Sequence, residues 1–273
     1  MKIKEIKSSS YISKSKLPDA DYVINPYVGC PHKCIYCYAE FMKRFSGHSG
    51  EEWGDFLDVK RCGKAINGTS FCETDTLLFG SVTDAYNPFE KKYRITRNIL
   101  EQLVTCKARI EILTKSDLVL RDIDIFKKMP NVYVGISMNT MDDVFRKEVE
   151  PYASSVERRI NAIKTLHDEG IPTYLFMSPI FPGLSDCKEV IRNTHKYVNY
   201  TCFENLNLRG GYLPRVMDYI KESHPNYHEL FKSIYWNKNI EYWERLKEEI
   251  EDYCKKLNIE YRFYFYHEKI KKK

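Results

Sequence analysis

From about residue 76 to residue 208, short apolar runs alternate with amphipathic stretches at helical spacing, and nothing else in this sequence constrains the fold as tightly. Strands are expected over 22–25, 76–80, 109–113, 132–136, 173–177 and 203–208. Helical passes are expected over 39–45, 89–106, 118–128, from residue 154 to the stop at Gly170, and over 187–198. The 89–106 pass carries Ile95, Ile99, Leu100, Leu103 and Val104 on one face, and Ser116 is a candidate N-cap for the next pass. Ser154-x-x-Glu157 matches a capping box, with Val156, Ile160, Ile163 and Leu166 following on one face. Strands separated by helices imply a parallel sheet with helices outside it. Six units are too few for a closed eight-stranded barrel, so the expected fold is α/β, an open partial barrel with its site at the C-terminal strand ends.

The flanks read differently. Residues 1–21 are a polar lead-in, and 46–75 is an insertion between the first and second strands. Residues 211–273 are expected to form a helical cap with a closing aromatic strand over 259–266 and a Lys tail. The barrel itself is assigned to 22–210. Five Lys against one Glu in 1–16, and four Lys in 269–273, exceed the net charge of +5, so the body between is acidic by three. Basic tails can touch nucleic acid, although inert solvated tails are the commoner case. No apolar run is long enough to span a membrane, and the N-terminus lacks an apolar signal core. With nine cysteines, this points to a reducing cytoplasmic setting.

Chemistry concentrates in Cys30-Pro31-His32-Lys33-Cys34-Ile35-Tyr36-Cys37, just after the first strand. Three soft thiolates at C-x3-C-x2-C can wrap one metal centre, and thiolates select iron–sulfur clusters or zinc. A structural zinc site wants four ligands and usually two C-x2-C pairs; a remote fourth cysteine would be needed here. A cubane held by three cysteines instead leaves one iron open to a substrate or cofactor. The other six cysteines are scattered singly. Cys106 and Cys254 fall in helix patterns and read as buried thiols. Cys62 and Cys72, in the insertion, are candidates to donate hydrogen or face a substrate. Polar residues follow four strands: Ser81, Thr83, Asp84 and Tyr86; Thr114, Lys115 and Ser116; Ser137 and Asn139; Ser178 and Pro179. Taken singly, each is as well explained by a cap or a turn.

The cysteine spacing, with aromatic Tyr36 before the last thiol, resembles the signature of the radical S-adenosylmethionine (SAM) superfamily. Ser81-x-Thr83-Asp84-x-Tyr86-x-Pro88-x-Glu90, Thr114-Lys115-Ser116, Glu150-Pro151 and Pro179-Ile180-x-Pro182-Gly183 resemble its spore photoproduct lyase-related branch, often labelled "DNA repair photolyase". Within that branch the chain is most similar to radical SAM mobile pair proteins, the B member of the pair. The resemblance implies a (β/α)6 core and a [4Fe-4S] cluster on Cys30, Cys34 and Cys37. It also implies reductive cleavage of SAM to a 5′-deoxyadenosyl radical that abstracts hydrogen from a substrate. Lys115 would pair with the SAM carboxylate, Ser137 would hold the ribose, and Tyr36 would lie near the adenine. Ser81, Thr83 and Pro179 would line the SAM site, with Thr83 and Asp84 near the SAM amino group or the substrate mouth, and Asp84 and Tyr86 join Cys62 and Cys72 as candidate catalytic residues. A reductant such as flavodoxin or ferredoxin, and a second radical SAM protein, are the implied partners. The loop after the second strand lacks the cysteine that true spore photoproduct lyases use as hydrogen donor, which puts thymine photoproduct repair in doubt. Three readings stay open: a radical enzyme acting on nucleic acid, one acting on a peptide, protein or small molecule, and a non-catalytic zinc module.

Overall fold

The strands are β1 (Lys2–Lys7), β2 (Ile12–Lys14), β3 (Tyr22–Ile24), β4 (Tyr27–Val28), β5 (Phe56–Arg61), β6 (Thr76–Phe79), β7 (Arg109–Thr114), β8 (Val132–Ser137), β9 (Thr173–Ile180), β10 (Tyr200–Asn205) and β11 (Tyr261–Phe263). The helices are α1 (Lys43–Ser46), α2 (Glu90–Tyr93), α3 (Ile95–Gln102), α4 (Ile123–Phe126), α5 (Asp143–Val149), α6 (Val156–Asp168), α7 (Cys187–Thr194), α8 (Tyr212–Ser223), α9 (His228–Tyr235) and α10 (Glu241–Lys256). These come from a computed structural model, which describes residues 1–266; the expected Lys tail at 269–273 lies outside the described residues.

One sheet runs β11-β10-β9-β8-β7-β6-β3-β2. Every neighbouring pair from β3 to β11 is parallel, and only β2 lies antiparallel to β3. The six expected strands are the six consecutive members from β3 to β10, which is the expected mixed α/β architecture of an open barrel. The closing aromatic strand is real but short: β11 pairs with β10 through Thr201 opposite Tyr261 and Phe203 opposite Phe263. Outward-facing Leu77, Phe79, Ile110, Ile112, Val134, Ile136 and Leu175 are buried under the helices in one apolar core.

Several local expectations shift. The lead-in is structured: β1 pairs with β5 over six residues, Lys2 opposite Phe56 through Lys7 opposite Arg61. With β4 on the other side of β5, this makes a second, three-stranded sheet that sequence reading left as an insertion. The 89–106 helix is broken at Arg94, whose φ of 52° is left-handed, and the α2–α3 corner results. Residues 117–122 form a 3-10 turn before α4, with Ser116 accepting from the Leu118 N–H as its cap. The α6 cap is Ser155, which accepts from Arg158 N; Ser154 Oγ instead donates to Asp117. Cys106 and Cys254 are buried as expected.

Candidate active site

The cysteine loop leaves β4 through Gly29, whose φ of 91° is left-handed and whose absent Cβ would sit 2.4 Å from the Phe56 carbonyl oxygen. Only glycine fits there. The loop is fastened from several sides. Thr83 Oγ1 donates to the Gly29 carbonyl at 2.6 Å, Ile35 N–H donates to Val149 O at 3.0 Å, and Arg215 Nε donates to Ile35 O at 2.7 Å. Cys30, Cys34 and Cys37 all line one cavity of about 320 Å³ that runs down the barrel lumen. Burial pushes all three thiols up, Cys30 to about 12, and each of them is raised further by a neighbour's charge. Cys34 feels both Cys30 and Cys37 in this way, whereas Lys115 draws it back down. Among the described residues, no group of three or more His, Cys, Asp or Glu side chains is gathered around a point as for a lone ion. Three cysteines on one enclosed loop, beside a lysine, are a donor set that could hold a thiolate-ligated centre.

Across the cavity, Lys115 Nζ donates to Ser137 Oγ at 2.9 Å and lies 4.0 Å from Glu150 Oε1. Glu150 is fully buried and paired with the fully buried Arg159, and the Tyr36 hydroxyl donates to its other side. Arg159 also donates from Nη1 to the Ser137 carbonyl at 3.0 Å. Burial alone would raise the Glu150 carboxyl, but Arg159 and Lys115 outweigh it and hold Glu150 below the usual range. The structure therefore brings Tyr36, Lys115 and Ser137 into one charged cluster. Ser81, Thr83 and Pro179 line the same cavity.

Asp84 also lines it, but its carboxylate is taken. It accepts from Thr114 Oγ1 at 2.7 Å, from Lys115 N–H at 2.9 Å and from Tyr86 N–H at 2.8 Å, and it lies 3.4 Å from His32 Nδ1. Asp84 thus ties the cysteine loop to the end of β7. Three candidates fall elsewhere. Tyr86 is fully buried in the outer core and donates to Asp122 at 3.0 Å, because its side chain turns away from the mouth. Cys62 lines a separate groove with Ser9, Tyr11 and Ile66. Cys72 is exposed and lines neither space. Both follow the insertion outward, since that segment pairs with β1 rather than covering the mouth.

Sequence reading missed the inner wall. Tyr174 and Phe176 of β9, and Tyr200, Cys202 and Glu204 of β10, alternate at period two and all face the cavity, with Arg262 and Tyr264 beyond them. Tyr174 stacks on Tyr200 at 4.9 Å, a position open to it because Gly135 has no Cβ. The signal was present as alternation along 174–178 and 200–204, but alternation does not say which face curves inward. Cys202 is the one cysteine outside the motif that reaches this cavity among the described residues.

A model of the radical SAM superfamily matches residues 24–194. An uncharacterized protein of Methanocaldococcus jannaschii is 38% identical over 239 residues, which is 85% of this chain and 88% of that one. Among solved structures, a spore photoproduct lyase variant with dinucleoside spore photoproduct superposes with a TM-score of 0.58 at 17% identity, covering 82% of this chain and 65% of that one. Streptococcus suis SuiB bound to S-adenosylmethionine superposes with a TM-score of 0.58 at 16% identity, covering 88% of this chain and 49% of that one. The chain thus spans about two thirds of the first solved protein and about half of the second, and at these identities the likeness is one of fold.

Proposed function

Because this chain belongs to the radical SAM superfamily, it is an enzyme that uses a [4Fe-4S] cluster and S-adenosylmethionine, and we propose that Cys30, Cys34 and Cys37 hold the cluster while Lys115, Ser137 and Tyr36 receive SAM. Family membership removes the zinc-module reading. When bound, cluster and SAM supply a 5′-deoxyadenosyl radical once a reductant delivers an electron. The chain's own residues bind, orient and enclose. Lys115 offers a charge-assisted bond to a carboxylate, and Ser137 fixes the Lys115 ammonium. Glu150 and Arg159 balance each other beneath that pair, so Lys115 keeps a free donor direction. Ser81, Thr83 and Pro179 complete the wall of the SAM site. The aromatic lumen below excludes water from the place where a hydrogen would be abstracted.

Domain by domain, 22–210 is the catalytic barrel, 1–21 and 46–75 brace its cysteine loop, and the described residues 211–266 cap the mouth, to which Tyr212 already contributes. The observation that carries the reading is the convergence of three motif thiols and the Lys115–Ser137 pair on one cavity. Anaerobic reconstitution followed by dithionite and SAM tests it, with 5′-deoxyadenosine as readout. Slow substrate-free cleavage is expected, and Cys34→Ala should abolish it. A colourless oxygen-free preparation lacking iron and sulfide would overturn the cluster assignment.

For the substrate, single-stranded nucleic acid is favoured. Tyr38 lines the cavity, and Tyr38, Phe41 and Phe45 are exposed on the segment that also carries Lys43 and Arg44. Exposed aromatics interleaved with cations suit unpaired bases. The alternative is a peptide, protein or small molecule handled with a second radical SAM protein; binding measurements at low salt separate the two.

A further inference from the structure

The segment between α1 and β5 holds an indole whose purpose the barrel does not explain. Trp53 is buried in a small apolar cluster with Val28, Cys30, Ala39 and Phe56, against which Cys37 also packs. Its ring meets Phe56 edge-on at 5.6 Å, and the His48 imidazole stacks flat on Phe56 at 3.8 Å. His48 is itself held between Asp58, 3.0 Å from Nε2, and Glu51, 3.3 Å from Nδ1. The next residue, Gly54, has a φ of 96°, and a Cβ there would lie 2.3 Å from Lys33 Cγ. The Phe56 edge contact and the surrounding cluster hold the indole in place.

Its Nε1 is fully buried and finds no hydrogen-bond partner of ordinary geometry. The Cys37 side chain packs against the same cluster as the indole and carries a sulfur that can accept from it. A neutral thiol is a weak acceptor, whereas an iron-bound thiolate is an anionic and much better one. A buried donor without an acceptor is rare enough in proteins to ask what completes it.

We propose that the Trp53 indole N–H donates to the Cys37 sulfur of the loaded cluster and sets the potential at which that cluster accepts its electron. The inference rests on Cys37 being a cluster ligand. Hydrogen bonds to ligand sulfurs are among the groups that tune Fe–S potentials, and outer partners orient the ligands they touch. A donor stabilises the more negative, reduced cluster more than the oxidised one, so it raises the potential. Trp53 is thus a positioning and tuning residue. It also gives the three-stranded sheet a role: that sheet holds the second layer of the metal site rather than a lid.

The test is a potentiometric titration of the reconstituted protein, followed by EPR of the reduced cluster, in wild type and Trp53→Phe. The phenyl ring keeps the packing and removes the donor. Equal iron and sulfide content is expected. The ratio of reduced to oxidised cluster at the wild-type midpoint should fall about tenfold, a shift of about 59 mV to more negative potential for a one-electron couple. An unchanged potential with an intact cluster would overturn the proposal. Should the variant lose its cluster, wild-type protein carrying ¹⁵N-indole tryptophan decides. Trp236 is exposed and Trp243 packs against Tyr242 and Phe265, so a ¹⁵N coupling to the reduced-cluster spin is expected from Trp53. Its absence would equally refute the bond. Failure of wild type to assemble any cluster would instead refute the ligand assignment beneath it.

Discussion

Glu150 and the proposed SAM ligand Lys115 lead to separable predictions, one for stability and one for binding. Glu150 is fully buried against Arg159, and removing one member of such a pair leaves the other uncompensated. Glu150→Gln should therefore cost about 3–5 kcal/mol, read from urea unfolding of the apoprotein. The same residue makes stability pH-dependent. Burial raises its carboxyl and Arg159 with Lys115 more than reverse this, so its folded value lies below the ordinary 4.5. Its contribution is thus complete above that unfolded value and is lost as pH falls through the lower folded one. Unfolding titrations should accordingly show a loss of stability below about pH 4.5 that is reduced in Glu150→Gln. The Lys115 ammonium donates to Ser137 and stands 4.0 Å from Glu150. Lys115→Ala should leave the iron content alone and weaken SAM binding by about 1.5–3 kcal/mol, roughly tenfold to a hundredfold by calorimetry. Normal SAM affinity in that variant would refute the carboxylate assignment.

Among the elements, β1 has the least obvious sequence and a consequential position. Lys2-Ile3-Lys4-Glu5-Ile6-Lys7 reads as a polar tail, yet it pairs along all of β5, and Arg61 reaches back to Glu5 at 2.7 Å. β5 in turn supplies Phe56, over which Gly29 turns and against which Trp53 packs. Deleting residues 1–8 should leave the far-UV CD of the barrel largely intact while iron is lost several-fold faster in air. Retention at the wild-type rate would show that the small sheet does not brace the cysteine loop. The barrel strands were legible because their signal is local: short apolar runs between helix faces and turn residues. The motif thiols and the polar strand ends were legible for the same reason. β5 was not, because its partner lies some fifty residues away and pairing across such a distance leaves no local period. The Ser154 box was misread by one residue because Ser155 offers the same hydroxyl and tertiary contact with Asp117 decides between them. Cys202 was hidden for a third reason, since sheet curvature, not sequence, turns its face into the lumen.

At the scale of the whole molecule, charge and cavity size bear on the substrate together. A cavity of about 320 Å³ is of small-molecule size, so a polymer would have to present a single unstacked unit to it. Lys2, Lys4 and Lys7 are held in β1 rather than in a tail, with Lys2 paired to Glu51 and Lys4 to Asp58. Tyr38, Phe41 and Phe45 stand exposed next to Lys43 and Arg44. A short single-stranded oligonucleotide should therefore bind at low salt. With about three phosphate contacts, affinity should fall roughly 20-fold between 50 and 200 mM salt. Phe41 and Phe45 should act through stacking and the cations through counterion release, so the two sets of variants separate. Phe45→Ala should weaken binding by about 1–3 kcal/mol with the salt slope unchanged. Lys43→Gln with Arg44→Gln should flatten the slope. Fluorescence anisotropy with a labelled oligonucleotide measures both. No binding at 50 mM salt would remove nucleic acid and leave a peptide or small molecule as the group that enters the lumen, and binding that ignores both sets of variants would move the contact surface away from the cysteine loop.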